Sequence, residues 1–170
     1  MAILTDDKAF LRDKRLGDTL RQSGFGEQKD REVVLDLFET LYLLQKGKIP
    51  LENAEDGKKV SEEELVKFGT RKVKGFYTKY QVFNDLRERG FVVKTGFKFG
   101  FDFRVYPRGK KPGEAHSQWC IHVATQNDKF SHIDLSRMVR LAGNLKTKFL
   151  IAVVDSENEI NYYETERITP

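Results

Sequence analysis

The chain has 170 residues, 30 Lys and Arg against 26 Asp and Glu, a net charge of +4 and 39% hydrophobic residues. That length suits one domain or two small ones, and 13 Phe, six Tyr and one Trp exclude the aromatic-poor composition of a disordered chain. A single Cys excludes an internal disulfide framework or a Cys-rich zinc site, and no run of about 18 apolar residues offers a membrane span.

Met1–Asp7 meets two acids before its first base, unlike a secretory signal, so a soluble cytoplasmic protein is expected. The charge is uneven: residues 1–70 carry −3 and residues 71–170 carry +7, and all three histidines lie in the basic part. A basic half is the footprint of a polyanion partner, and equally of a lysine-rich solvated surface.

In chain order, Ala2–Leu11 accommodates one short edge strand before a charged stretch, and Ser23–Gly26 reads as a turn. Val33, Val34, Leu37, Phe38, Leu41 and Leu44 follow a helical period, predicting a helix from Asp30 as N-cap to Gln45, stopped by Gly47. Ser61 with Glu64 forms a capping-box pattern that opens a helix to about Phe68. A third helix is expected from Thr70 or Phe76 to Glu88. The acidic part is therefore expected to be a small, mostly helical α/β module, residues 1–75, with its boundary within Gly69–Gly75.

After Gly90 the pattern becomes β-rich. Strands are expected at Phe91–Val93 and at Phe101–Tyr106, where Phe101, Phe103 and Val105 share one face and Asp102, Arg104 and Tyr106 the other. Pro107–Gly113 is a basic loop. A strand over Ser117–Ala124, a helix over Asp134–Asn144 with Leu135, Met138, Val139 and Ala142 on one face, and a buried strand over Phe149–Val154 follow. An acidic turn, Asp155–Glu159, leads into a final strand from Ile160. Residues 76–170 thus read as an α/β or α+β domain with a mixed sheet.

No Gly-rich phosphate loop, H-E-x-x-H, C-x-x-C or G-x-S-x-G occurs. Cys120, in a strand, reads as packing, and His122 and His132 as structural or surface groups. His116 differs, because it ends a Gly/Pro/Lys loop whose other end is Tyr106. A hairpin-like connection brings the two within reach of one ligand. Lys146 and Lys148 form a second basic cluster at a helix–strand junction.

Tyr, His and Lys without an acid cluster suit metal-free RNA cleavage. One group takes the proton of the 2′-hydroxyl as it attacks the adjacent phosphate, another protonates the departing 5′-oxygen, and a cation steadies the phosphorane. Histidine titrates near neutrality, whereas tyrosine serves as a base only if cations such as Arg104, Arg108 or the lysines lower its pKa.

Three segments, YQVFNDLRERGFVVKTGFKFGFDFRVYPRG (80–109), EAHSQW (114–119) and RMVRLAGNLKTKFLIAVVDSENEINYY (137–163), resemble the archaeal tRNA-splicing endonuclease family. The first half is similar more loosely, through its GFG turn and the helix ending in LYLLQKGKI. The resemblance implies an N-terminal α/β module and a C-terminal domain like restriction-type nucleases. It further implies cleavage of precursor tRNA at the bulge–helix–bulge motif, leaving 2′,3′-cyclic phosphate and 5′-hydroxyl ends, with no metal or cofactor.

By this resemblance Tyr106 is the general base, His116 the general acid, and Arg140 a contact to a bulge base. Ungapped alignment places Thr147 at the family lysine, flanked by Lys146 and Lys148; Lys148, leading directly into the apolar strand, is favoured over Lys146. The acidic turn Asp155–Glu159 and the last strand imply a homotetramer or a dimer of dimers. The alternatives are a non-catalytic RNA-binding or structural subunit of a splicing assembly, and a metal-dependent DNA nuclease using Asp102 and Glu114.

Overall fold

A computed structural model describes residues 1–170. The chain divides into two compact units, Met1–Tyr80 and Gln81–Pro170, in a mixed α/β architecture.

The first unit begins with β1 (Ala2–Leu4), β2 (Lys8–Leu11), α1 (Lys14–Gln22), β3 (Glu27–Lys29) and β4 (Glu32–Asp36). It continues with α2 (Leu37–Gln45), β5 (Leu51–Asn53), α3 (Glu62–Lys72) and the start of α4 (Phe76–Glu88). Its sheet runs β3-β4-β2-β1-β5, antiparallel except for the parallel β1–β5 pair. The expectation of a mostly helical module is thus corrected: a five-stranded sheet organises it. Strands of three to five residues are too short to display an alternation that sequence periodicity can detect. Ala2–Leu11 is likewise not one edge strand but an interior hairpin, flanked by β4 and β5.

The helix expected over Asp30–Gln45 is two elements. Val33 and Val34, β-branched and suited to a pleated surface, lie in β4. The helix starts only at Leu37, with Asp36 as its cap. Asp36 Oδ1 accepts from Glu39 N–H at 2.8 Å, and Glu39 Oε2 accepts from Asp36 N–H at 3.1 Å. Glu39 is buried, and its other oxygen accepts from Gly26 N–H at 3.0 Å, so backbone donors meet the buried charge. Asp30 instead occupies the β3–β4 turn at φ +53°. Gly26, at φ +66°, could not carry a side chain, since a Cβ there would sit 2.5 Å from Val33 Cγ1.

The charged stretch after Leu11 forms α1, capped by Asp13, which accepts from Leu16 N–H. Ser61 caps α3 with the reciprocal Glu64 bond, as the sequence pattern predicts, although α3 continues to Lys72. Gly69 of α3 meets the Phe76 ring, which stacks on Phe38 of α2.

The second unit holds the rest of α4, β6 (Val92–Thr95), a 3₁₀ turn (Phe97–Phe99), β7 (Phe103–Tyr106), β8 (Trp119–Thr125), α5 (His132–Asn144), β9 (Lys148–Val154) and β10 (Ile160–Thr165). Its sheet runs β10-β9-β8-β7-β6, antiparallel except for the β8–β9 pair, which α5 connects. Register assigns the two faces, because paired residues share a face and successive residues alternate. One face carries Phe103, Val105, Trp119, Ile121, Lys148 and Leu150, and Phe83 of α4 packs on it through Phe103. The opposite face carries Arg104, Tyr106, Cys120 and Phe149, and α5 covers it with Met138 and Ala142.

Two expectations for β7 are corrected. Phe101 does not share the Phe103/Val105 face: the chain bends before β7, and Phe101 packs with Cys120 and Phe149 beneath α5. The supposed polar face is not solvent-facing, since Asp102 is 8% and Tyr106 2% exposed. β7 is an interior strand between β6 and β8, so Tyr106 is buried at its end although the alternation suggests a polar face. No helix is long and apolar enough to cross a membrane.

Candidate active site

Three strand ends meet at one end of the second sheet: the end of β7, the start of β8 and the start of β9. The backbone ties them together. Gln118 N–H donates to Val105 O at 2.6 Å, and Lys148 N–H donates to Gln118 O at 3.2 Å. Tyr106 closes β7. His116 stands two residues before Gln118, exposed, at the end of the 107–116 loop. That loop is braced internally: Lys110 N–H donates to Pro107 O, and Lys111 N–H to Glu114 Oε2, both at 3.0 Å. Arg108 anchors its start by donating to Arg89 O and lying over the Phe91 ring.

The chain order of faces separates the sequence-derived candidates. Tyr106 lies on the α5 face, its ring beneath the Arg104 guanidinium at 5.5 Å. Lys148 lies on the other face, in register with Trp119, where Nζ is 3.0 Å from Glu164 Oε1. Trp119 Nε1 donates to the other Glu164 oxygen at 2.8 Å. These two donors hold the Glu164 carboxyl below the usual carboxylate range, Trp119 contributing most, and Glu164 in turn raises the Lys148 ammonium. Thr147, one residue earlier, falls by alternation on the face of Tyr106. Lys146 sits in the α5–β9 turn at φ +55°, exposed and without an ion-pair partner. Lys146, Thr147 and Lys148 line a shallow groove of about 390 Å³ with Ser117, Gln118, Trp119 and Glu164. Arg140 is exposed on α5, two residues from buried Met138.

Beneath Tyr106 and Arg104 lies a small polar patch centred on Cys120. Burial pushes the Cys120 thiol up to about 11, although Arg104 and the Thr147 and Ser117 hydroxyls oppose that shift. It is therefore a neutral thiol at pH 7 and no nucleophile. Sulfur accepts hydrogen bonds weakly, so the Ser117 and Thr147 hydroxyls remain buried without a full partner, as does Arg104 Nε.

Among the other candidates, His122 stacks on Phe130 at 5.0 Å and lies 3.7 Å from Asp102. Asp102 Oδ2 also accepts from Val123 N–H at 2.7 Å, while Glu114 pairs with Lys111 in the loop. His132 opens α5 and is exposed. Sequence reasoning missed the Trp119–Glu164–Lys148 cluster. Its members are 16 and 45 residues apart, and only strand register brings them together.

The fold and this strand-end constellation define a two-domain α/β protein with polar chemistry at one end of its C-terminal sheet. Residues 76–162 match the tRNA intron endonuclease, catalytic C-terminal domain, and residues 1–66 match the tRNA intron endonuclease, N-terminal domain. The chain is 40% identical over 164 residues to a tRNA-splicing endonuclease of Thermococcus onnurineus, spanning 96% of this chain and 93% of that one. It is 41% identical over 150 residues to a tRNA-splicing endonuclease of Methanothermobacter thermautotrophicus, 88% and 85% of the two chains. A tRNA-splicing endonuclease of Methanopyrus kandleri is 40% identical over 142 residues, 84% of this chain and 78% of that one. The chain belongs to the tRNA intron endonuclease family.

Proposed function

We propose that this protein is an endoribonuclease that removes introns from precursor tRNA by cutting at bulge–helix–bulge sites. Membership of a family whose two domains together span residues 1–66 and 76–162 carries this reading. In the proposed reaction, Tyr106 takes the proton of the 2′-hydroxyl at the cleavage site. The 2′-oxygen then bonds to the adjacent phosphorus, and the bond from phosphorus to the 5′-oxygen breaks. His116 protonates that departing oxygen, leaving a 2′,3′-cyclic phosphate and a 5′-hydroxyl. A lysine cation faces the charge that builds on the phosphorane. Lys146 is favoured over Lys148, because its ammonium has no carboxylate partner whereas Lys148 is paired with Glu164 on the far face of the sheet. Arg140, exposed on α5, is proposed to contact a bulge base. The assembly is proposed to be a homotetramer or dimer of dimers, joined through the Asp155–Glu159 turn and β10.

Incubation with intron-containing precursor tRNA in excess chelator tests the mechanism. Cutting that persists, with cyclic phosphate and 5′-hydroxyl ends, is expected. Loss of cutting under chelation would sink the metal-free reaction, and cutting of a substrate with 2′-deoxyribose at the scissile position would sink 2′-hydroxyl attack.

A second reading, a non-catalytic subunit, draws on Thr147 standing at the lysine position while Lys148 faces away from Tyr106. The same incubation discriminates: tight binding of precursor tRNA with no cleavage at any protein concentration favours it.

A further inference from the structure

Arg104 is drawn against the α5-side face of the second sheet between two aromatic rings. Its guanidinium lies 4.5 Å from the centre of the Phe99 ring and 5.5 Å from that of Tyr106. It has no carboxylate partner, and Nε is buried with no acceptor. A cation held in that way is costly unless its charge is used. Its position over the ring favours the more electron-rich phenolate over the phenol, because a cation on an aromatic face is drawn to π density.

The Arg104 guanidinium is stacked on the Tyr106 ring, and titratable groups lie on every neighbouring element. β6 supplies Lys94, opposite Arg104 in register and 9% exposed. Just before β7 stands Asp102, whose Oδ2 accepts from Val123 N–H and which neighbours His122. β8 supplies the neutral Cys120 thiol and His122. β9 presents Phe149 and Ile151, and α5 presents Leu135, Met138, Val139 and Ala142, none of them charged. The charged residues of α5, Asp134, Arg137 and Arg140, are not among those packed on the sheet, and Asp134 pairs with Arg137. The loop adds exposed His116, together with Arg108, which is stacked on Phe91.

We infer that Arg104 is a positioning residue that acts through Tyr106: it clamps the phenol ring against β7 and biases it toward phenolate, so that Tyr106 serves as base near neutral pH. This rests on the reading of Tyr106 as general base. Arg104 thereby supplies to the base a charge that Thr147, standing at the family lysine position, does not.

Two readouts test it. The first is an ultraviolet titration of phenolate absorption in the whole protein with and without Tyr106→Phe, which isolates one of the six tyrosines. An opposite charge at this range lowers a pKa by about 1–3. Arg104→Gln, or Arg104→Met, which keeps a stacking stem, should therefore raise the Tyr106 titration by about that amount, and Arg104→Lys should restore most of it. The second is the pH profile of single-turnover cleavage of precursor tRNA. Arg104→Gln should move its limb to higher pH and lower the rate at pH 7 by ~10-fold or more. The inference is overturned if a folded Arg104→Gln, with unchanged melting temperature, leaves the Tyr106 titration and the limb in place. If instead Tyr106→Phe cleaves at the wild-type rate, the general-base reading itself fails and takes the role of Arg104 with it. That result is separable, because it appears in a variant that keeps Arg104.

Discussion

Tyr106 and Lys148 lie at the same end of one sheet, on strands separated by β8, yet on opposite faces, and that alternation decides which lysine is worth testing. If Lys146 is the working cation, Lys146→Ala should lower single-turnover cleavage by ~10²-fold, the order expected for loss of one electrostatic contact to the transition state. Lys148→Ala should change it by less than about threefold, since a solvent-exposed ion pair contributes little. The reverse ranking would restore Lys148. Tyr106→Phe and His116→Ala should each cost ~10²–10⁴-fold if both move protons. Equal rates would remove the unaffected residue from the site.

Tyr162 offers a test unrelated to catalysis. Its hydroxyl donates to Asp85 Oδ2 at 2.7 Å, and burial first, then this bond, raises its pKa above the ordinary tyrosine value. A raised pKa contributes stability that is complete below the unfolded value of about 10 and is lost as pH rises toward the folded one. Tyr162→Phe should therefore reduce unfolding free energy by about 1–2 kcal/mol at neutral pH. It should also flatten the loss of stability above pH ~10. Urea midpoints measured across pH would show both, and an unchanged alkaline slope would contradict the account.

At the scale of elements, the cap of α3 was written in the sequence. Ser61 and Glu64 form the reciprocal bonds that their spacing announces, because a capping box is local and needs no tertiary partner. α5 is similar: its apolar positions recur at the helical period, and they are the residues that meet Phe149 and Cys120. β4 was not legible. Val33, Val34, Leu37 and Phe38 mimic a helical stripe across a strand–helix junction, and the true cap, Asp36, lies within that stripe. Close packing between helices supplies the element-scale prediction. A Cβ at Gly69 would come within 2.5 Å of the Phe76 ring. Gly69→Ala should thus destabilise the first unit by about 1–3 kcal/mol, the usual cost of overpacking. A thermal melt that is unchanged or improved would show that the ring yields without strain.

For the whole molecule, the acidic turn is where assembly is tested. Asp155 Oδ1 accepts from Glu157 N–H and Glu159 N–H, so Asp155 builds the turn. The Glu157 and Glu159 side chains are exposed. If they dock into a basic groove of another copy, Glu157→Lys with Glu159→Lys should shift the solution mass toward smaller species. The fold of each chain should be unchanged, since neither side chain supports the turn. Mass by light scattering that does not change would rule out this turn as the joint.

What depends on neighbours along the chain was legible from the sequence: the Ser61 capping box, the buried strand over 149–154, the acidic turn, and the motifs in 80–109 and 114–119 that carry the family resemblance. Those signals are local in period or in string. Tertiary structure alone decided the sheet of the first unit, the burial of Tyr106, the pairing of Lys148 with Glu164 and the stacking of Arg104 without a counter-charge. Each depends on strand register or on which helix covers a face, and both are fixed by pairing residues far apart in the chain.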